Sequence, residues 1–108
     1  MRLLVKDLTL LQLNWAVATI CDKHLTTGDV VWGNYTPSSN WSQGGPILER
    51  WKLDSFWNGM SERWSVAGWD ERAKREVIEW GDTLLEASMR CLVSMRHGDE
   101  IEIPGELL

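Results

Sequence analysis

The chain has 108 residues, enough for one domain with a single hydrophobic core and too few for a second domain with its own. Its formal net charge is −5, from 16 acidic and 11 basic residues, and the basic residues form no run. Nucleic-acid polymers and anionic membrane surfaces bind basic patches, so DNA, RNA and membranes are not expected partners. Small anions are kept as candidate ligands. We predict a single domain over residues 1–108.

Tryptophan is the unusual residue of the composition, since eight tryptophans accompany one tyrosine and one phenylalanine. A core of this size has little room for eight indole rings, so some of them are expected in a stacking pocket or a subunit interface. We therefore predict a homo-oligomer, a dimer or higher and most simply a two-fold dimer.

Cys21 and Cys91 stand alone in apolar helical patterns, which predicts two buried thiols and neither a disulfide nor a metal site. The sequence contains no phosphate-binding glycine motif, so no cofactor is expected. The apolar start of the chain is interrupted by Lys6 and Asp7, which argues against a signal peptide or a membrane anchor. These features predict a cytosolic protein.

The first predicted element is a helix over residues 9–22. Thr9 and Gln12 form a capping box, and Leu8 with Leu13 fits the hydrophobic staple that accompanies such a cap. Apolar residues at helical spacing define the stripe expected to face the core: Leu10, Leu13, Val17, Ile20 and Cys21.

A structured loop between two short strands is expected next. Residues 30–32 favour β structure, and residues 47–53 are typical of a strand. Between them Pro37 fixes its own φ, and Gly44 and Gly45 permit a close backbone approach. The segment from residue 35 to residue 50 is therefore predicted to be an ordered loop.

Trp41 is the candidate binding side chain of this loop, beside the amide side chains of Asn40 and Gln43. An aromatic ring held on a stiff loop next to hydrogen-bonding groups is typical of a ligand or partner site. The alternative is an ordered turn whose Trp41 fills the core.

The middle of the chain is predicted to be β structure. Asn58–Gly59 is a turn signal, and residues 63–69 alternate as in a strand. Residues 70–80 fit either a charged hairpin loop followed by a strand, which we favour, or a short helix capped by Asp70. Because helix, strands and helix occur in separate runs, we predict an α+β fold with a small antiparallel sheet of three or four strands, packed by an N-terminal and a C-terminal helix.

The last predicted helix begins with a second capping box, Thr83 with Glu86, and ends before Gly98. Arg90 falls between the inward positions of this helix, so it lies either at the border of the buried face or on the solvent side. If Arg90 is buried, Glu49 or a loop carbonyl is its expected partner. The inward positions are Leu84, Leu85, Ser88, Met89, Cys91, Leu92 and Met95.

Catalytic machinery is not expected. His24 and His97 are the only histidines, and the local sequence places no nucleophile beside either of them. Both are interpreted as surface residues, and no catalytic residue is predicted.

Trp41 and Arg90 are instead predicted to reach one shared pocket near the N-terminus of the last helix. The indole would stack on a planar group, while the guanidinium and the helix dipole would hold an anion, which describes a nucleotide-like ligand. Asp82 at the same helix end would oppose an anion. The predicted ligand-binding set is Tyr35, Asn40, Trp41, Gln43, Gly44, Gly45, Thr83 and Arg90.

The chain carries four segments in this order: Asn14-Trp15-Ala16-Val17-Ala18, Tyr35 to Arg50, Gly81 to Ser94 and Gly98-Asp99-Glu100. Together they resemble the NinX-like family of small proteins from tailed phages and prophages. Residues 56–80 match no motif of that family, and Leu85 stands where proline is expected. The resemblance implies a phage accessory protein from a non-essential region, present in the host cytoplasm, and it implies no established activity.

In that context we expect a non-enzymatic protein that binds a small nucleotide-like ligand and sequesters a host immune signal, an anti-defence role. The alternative is a protein-binding module that inhibits or redirects a host factor through a Trp-rich surface, and an enzyme of unrecognised type ranks third. A closed pocket lined by Trp41, Gln43 and Arg90 would favour the ligand, and an exposed apolar Trp patch would favour the host factor.

Overall fold

The computed structural model describes residues 1–21 and 24–108, so the predicted helix end at Asp22 lies outside the described residues. Along this part of the chain, single turns of 3₁₀ helix occupy Val5–Asp7 and Gly105–Leu107. The other elements are β1 (Arg2–Leu4), α1 (Leu10–Cys21), α2 (Thr27–Val31), α3 (Trp41–Trp51), β2 (Asp54–Asn58), β3 (Arg63–Asp70), β4 (Arg75–Gly81), α4 (Leu84–His97) and β5 (Glu100–Glu102).

The strands form two antiparallel sheets. β3 lies between β2 and β4 in a three-stranded sheet, and β1 pairs with β5, with Arg2 opposite Glu102. α4 packs across β3 and β4 on one side and contacts α1 and α3 on the other. It therefore separates two clusters of buried apolar side chains, and the predicted α+β fold is confirmed.

The prediction for α1 is confirmed by its capping box. The Thr9 backbone N donates to Gln12 Oε1 at 3.0 Å, and the Gln12 backbone N donates to Thr9 Oγ1 at 3.2 Å. Leu13 and Val17 are fully buried as predicted. Leu10 is exposed, because the first turn of α1 borders a surface cleft.

The predicted loop and strand over residues 35–53 are largely wrong, since Trp41–Trp51 is helical. Asn40 begins α3 by accepting a hydrogen bond from the Ser42 backbone N at 2.9 Å. Partly buried Ile47, Leu48 and Trp51 have helical spacing. The Gly-Gly-Pro sequence obscured this helix, because glycine and proline are read first as loop signals.

The predicted β structure at residues 30–32 is also wrong, because α2 covers Thr27–Val31. Thr26 and Asp29 form a capping box, with the Asp29 backbone N donating to Thr26 Oγ1 at 3.2 Å. This local hydrogen bonding outweighs the weak β preference of two valines.

The other strand predictions agree with the structure from residue 63 onward. β3 and β4 are present, so residues 70–80 adopt the loop and strand rather than the helix. Asp70 is buried and turns the chain by accepting from the Arg72 backbone N at 3.0 Å and the Ala73 backbone N at 3.1 Å. The strand preceding the hairpin is β2, later in the sequence than the predicted one.

α4 begins and ends as predicted. Thr83 Oγ1 accepts from the Glu86 backbone N at 3.1 Å, and Gly98 ends the helix with φ 82°. Its buried face is wide enough to include Ser88 and Arg90, since α4 lies between other elements on several sides. Burial raises the pKa of the Cys91 thiol to about 12, so this group stays protonated.

Candidate functional site

Arg90 lies in the interior and is only 6% exposed. Its Nε donates to the Trp80 carbonyl at 3.1 Å, and its Nη1 donates to the carbonyls of Val5 at 2.8 Å and Leu8 at 3.0 Å. Its Nη2 donates to Glu86 Oε1 at 3.2 Å, within α4. One guanidinium therefore joins α4, β4 and the N-terminal 3₁₀ turn.

The predicted position of Arg90 at a border or in solvent is wrong. Acceptors supplied by segments distant in sequence hold the side chain inside, which no local pattern reveals. Of the two partners considered for a buried Arg90, the loop carbonyl is confirmed and Glu49 is wrong. Glu49 is exposed on α3, and Glu86 is the carboxylate that pairs with Arg90.

A cavity of about 630 Å³ lies between β4 and the N-terminal segment, with Arg90 in its wall. Six of its nine lining residues are charged, so its chemistry suits a polar ligand. The lining residues are Leu4, Lys6, Asp7, Arg63, Ile78, Glu79, Trp80, Arg90 and Asp99.

The three cations of this cavity differ in how firmly they are held. Arg90 already donates to four acceptors. Arg63 pairs with Asp82 at 3.5 Å, and both side chains are well exposed, so that ion pair is weak. Lys6 is exposed and makes no ion pair with the described residues. Lys6 and Arg63 are therefore the cations that an incoming anion meets.

Glu79 is the carboxylate of the cavity with a perturbed environment. It lies on the α4 side of β4, where its Oε2 accepts from the Ser94 hydroxyl at 2.6 Å. Burial raises its pKa, against the opposing effects of the Ser94 hydrogen bond and the Arg90 charge. Sequence analysis missed this residue, although an acid two positions from inward-facing Val77 is a detectable signal.

The raised pKa predicts that Glu79→Gln stabilises the protein near neutral pH. Protonation of Glu79 stabilises the fold at low pH, and this contribution is lost as the pH rises from the ordinary value of 4.5 through the folded-state pKa. Glutamine keeps an acceptor for Ser94 and removes the buried charge. Urea midpoints should favour the variant at about pH 7 and converge with wild type at about pH 4. A variant less stable at neutral pH would contradict this assignment.

Trp41 lies in a different cleft from Arg90. It is 57% exposed in the first turn of α3 and faces a cleft of about 260 Å³ that also contains Asp82 and Thr83 at the start of α4. The structure thus brings Trp41 and Thr83 together, as predicted, but the shared pocket of Trp41 and Arg90 is wrong. The aromatic residue in the Arg90 cavity is Trp80.

Tyr35 and Gln43 line a third cleft, between α1 and α3, with a volume of about 260 Å³. Both polar atoms of the Gln43 side chain already have backbone partners. Its Oε1 accepts from the Thr36 backbone N, and its Nε2 donates to the Asn34 carbonyl. The predicted binding residues are therefore distributed over three separate clefts.

The remaining predicted residues shape the start of α3. The Asn40 side chain caps the helix, and Gly44 lies so close to Pro37 that a Cβ would be 2.3 Å from its carbonyl oxygen. Gly45 lies beside the indole of Trp41, with room for a Cβ at 3.6 Å. Asn40 and Gly44 have structural roles, and ligand binding by Trp41 stays a prediction.

The side of the three-stranded sheet away from α4 carries exposed apolar residues. Val66 and Val77 face α4, so the alternating strand positions place Ser65 and Ala67 on the opposite side. The large exposed side chains of that side are Phe56, Trp69, Ile78 and Trp80, which we call the outer sheet face. A patch of this kind is typical of an interaction surface.

Two further properties limit the chemistry of the described residues. No group of three histidine, cysteine or carboxylate side chains among them is arranged to hold a metal ion. No helix in the same ranges has the length and apolarity needed to cross a membrane.

Comparison with known proteins identifies the family. The chain has no match among curated proteins. The family model described as "Bacteriophage P22, NinX" matches residues 4–96, which include α1 to α3, all of α4 but its last residue, and most of the candidate sites. A match over this much of the chain shows that the protein belongs to the NinX family of bacteriophage proteins.

Proposed function

We propose that this NinX-family protein binds a small nucleotide-like ligand in the cavity between β4 and the N-terminal segment, without catalysing a reaction. The observation that carries the proposal is the combination of Lys6, Arg63, Glu79 and Trp80 around a space of about 630 Å³. A volume of this size is typical of small-molecule sites.

Each of these side chains matches one part of a nucleotide. Trp80 is 39% exposed and offers an indole for contact with a planar base. Lys6 and Arg63 offer positive charge to a phosphate. Glu79 offers an acceptor to N–H donors on the base edge. Asp7 opposes an anion, whereas the charge of Asp99 is offset by Arg75 at 3.3 Å.

Binding without turnover is proposed because no serine, threonine, cysteine or histidine is among the described residues that line the cavity. The Ser94 hydroxyl donates to Glu79 of the cavity, but Ser94 is fully buried and cannot reach a ligand as a nucleophile. Within the phage context, retention of a nucleotide suits the sequestration of a host immune signal in the host cytoplasm. This is the anti-defence role expected of a small phage accessory protein.

Thermal shift against nucleotides and cyclic nucleotides tests the proposal. A ligand at ~100 times its dissociation constant adds about 2.7 kcal/mol to stability, which is readily detected as a higher Tm. Lys6→Ala and Arg63→Ala should each weaken binding about tenfold, as expected for the loss of one charged contact. Lys74→Ala, in the β3–β4 turn outside the cavity, is the matched control.

A Tm unchanged by every nucleotide tested would refute nucleotide binding. Equal loss of affinity in Lys74→Ala would show that binding depends on total charge rather than on this cavity.

The outer sheet face favours a second candidate, binding of a host protein. Its four large apolar side chains are exposed together, and aromatic residues are enriched where proteins bind one another. Capture from infected cells with wild type and with Trp69→Ala distinguishes the two functions, because Trp69 does not line the cavity. A host protein retained by wild type and lost by that variant would support this candidate, and unchanged capture would exclude the face.

A further inference from the structure

β2 is an edge strand whose second edge has no neighbour in the described part of the chain. Phe56 is 59% exposed on one face of β2, and Trp57 is 53% exposed on the other. Natural edge strands are usually protected by lysine, proline or a covering element. β2 reads Asp-Ser-Phe-Trp-Asn and contains neither residue.

The other edge strand, β4, is protected. Arg90 Nε donates to the Trp80 carbonyl, and the N-terminal segment lies across the cavity from this strand. α4 packs beneath β3 and β4 and leaves β2 extending beyond it. Among the described residues, the sheet edge without such a contact is therefore that of β2.

We propose that β2 pairs antiparallel with β2 of a second copy, across a two-fold axis at Phe56. The five-residue strand makes this register self-complementary. Phe56 faces its own copy, and Ser55 faces Trp57 of the second copy, so a small side chain lies opposite a large one. Asp54 faces Asn58, and no like charges meet.

Hydrogen bonds within the β2–β3 turn hold the side chain of Asn58 in position for this contact. Its Oδ1 accepts from the backbone N of Met60 at 3.1 Å and of Ser61 at 3.2 Å, within the β2–β3 turn. These bonds fix the amide and leave its N–H groups to donate to Asp54 of the second copy. Asp54 makes no ion pair with the described residues.

The pairing yields a six-stranded sheet and covers the exposed side of β2. Trp57 already contacts Trp64 at a ring-centroid distance of 5.3 Å, and the second copy places Ser55 beside this pair. The cavity at β4 lies at the far edge of each three-stranded sheet, so dimer formation and ligand binding are separable.

Analytical ultracentrifugation of the full chain tests the pairing. Wild type should be a dimer at micromolar concentration. Asn58→Asp keeps the turn acceptor and places two like-charged pairs in the interface, so the dimer dissociation constant should rise about fivefold. Asp54→Lys/Asn58→Asp creates two opposite-charge pairs and should restore the wild-type value, a rescue that a general effect on folding would not produce.

Met60→Lys, in the same turn and 99% exposed, is the control and should leave the constant unchanged. A wild-type monomer would overturn the proposal. So would a dimer that Asn58→Asp does not weaken, or a double variant that remains as weak as Asn58→Asp. Circular dichroism of each variant confirms that the sheet is retained.

Discussion

Arg90→Ala is expected to destabilise the protein by about 3 to 5 kcal/mol, the usual cost of removing one partner from a buried ion pair. The substitution leaves Glu86 without its cation and removes the guanidinium donor from the carbonyls of Val5, Leu8 and Trp80. The Val5 carbonyl still accepts from the Leu8 backbone N at 3.2 Å. Each buried carbonyl left unpaired adds to the cost. Urea denaturation at constant pH measures the effect as a lower midpoint.

Two variants show whether the geometry or the charge of the Arg90 side chain is responsible for this stabilisation. Arg90→Lys keeps the charge, but a single ammonium cannot reach acceptors on three elements, so the loss should remain large. Arg50→Ala removes an exposed cation of α3 and should change stability by less than about 0.5 kcal/mol. If Arg90→Ala costs no more than Arg50→Ala, the guanidinium does not hold these elements together.

Gly44→Ala and Gly45→Ala should have effects of opposite sign, although the two glycines are neighbours in α3. A Cβ at residue 44 would lie 2.3 Å from the Pro37 carbonyl oxygen and 2.8 Å from Leu85 Cδ2. The backbone of a buried proline cannot easily move, so overpacking should cost about 1 to 3 kcal/mol or more.

At residue 45 the nearest atom to the new Cβ is Trp41 Cε3 at 3.6 Å, an ordinary contact. Alanine should therefore add up to about 1 kcal/mol of stability through its higher helix propensity. Thermal denaturation of both variants, compared with wild type, tests whether the two changes in stability have opposite signs. Two losses of similar size would show that the start of α3 needs flexible backbone rather than close approach at residue 44.

Two helix starts that the sequence predicts correctly are specified by local hydrogen bonds. Thr9 with Gln12 and Thr83 with Glu86 locate the starts of α1 and α4, because a capping box requires only residues three positions apart. Gly44, Gly45 and Pro46 have the opposite effect at α3. Their intrinsic preference opposes a helix that packing against Pro37 and Leu85 stabilises.

The candidate site is predicted less well, because it is made by tertiary contacts. Sequence patterns single out Trp41 and Arg90, yet the ring that shares the Arg90 cavity is Trp80. Two of the four Arg90 acceptors lie 82 and 85 positions earlier in the chain, at Leu8 and Val5. No local period encodes such a separation. The inward position of Glu79, in contrast, follows from the two-residue alternation of β4, since Val77 faces inward.

The pairing of β1 with β5 has a consequence for how the chain folds. The sheet joins Arg2 to Glu102, and the carbonyl of Leu107 accepts from Gln12 Nε2 at 2.9 Å. Bringing together residues so far apart in the chain has a high entropic cost of loop closure, so these contacts form late in folding. During synthesis, α1, the β2–β4 hairpins and α4 can associate while β1 still lacks β5 and the Gln12 side chain lacks the Leu107 carbonyl. The larger core therefore closes only after residues 101–107 have left the ribosome.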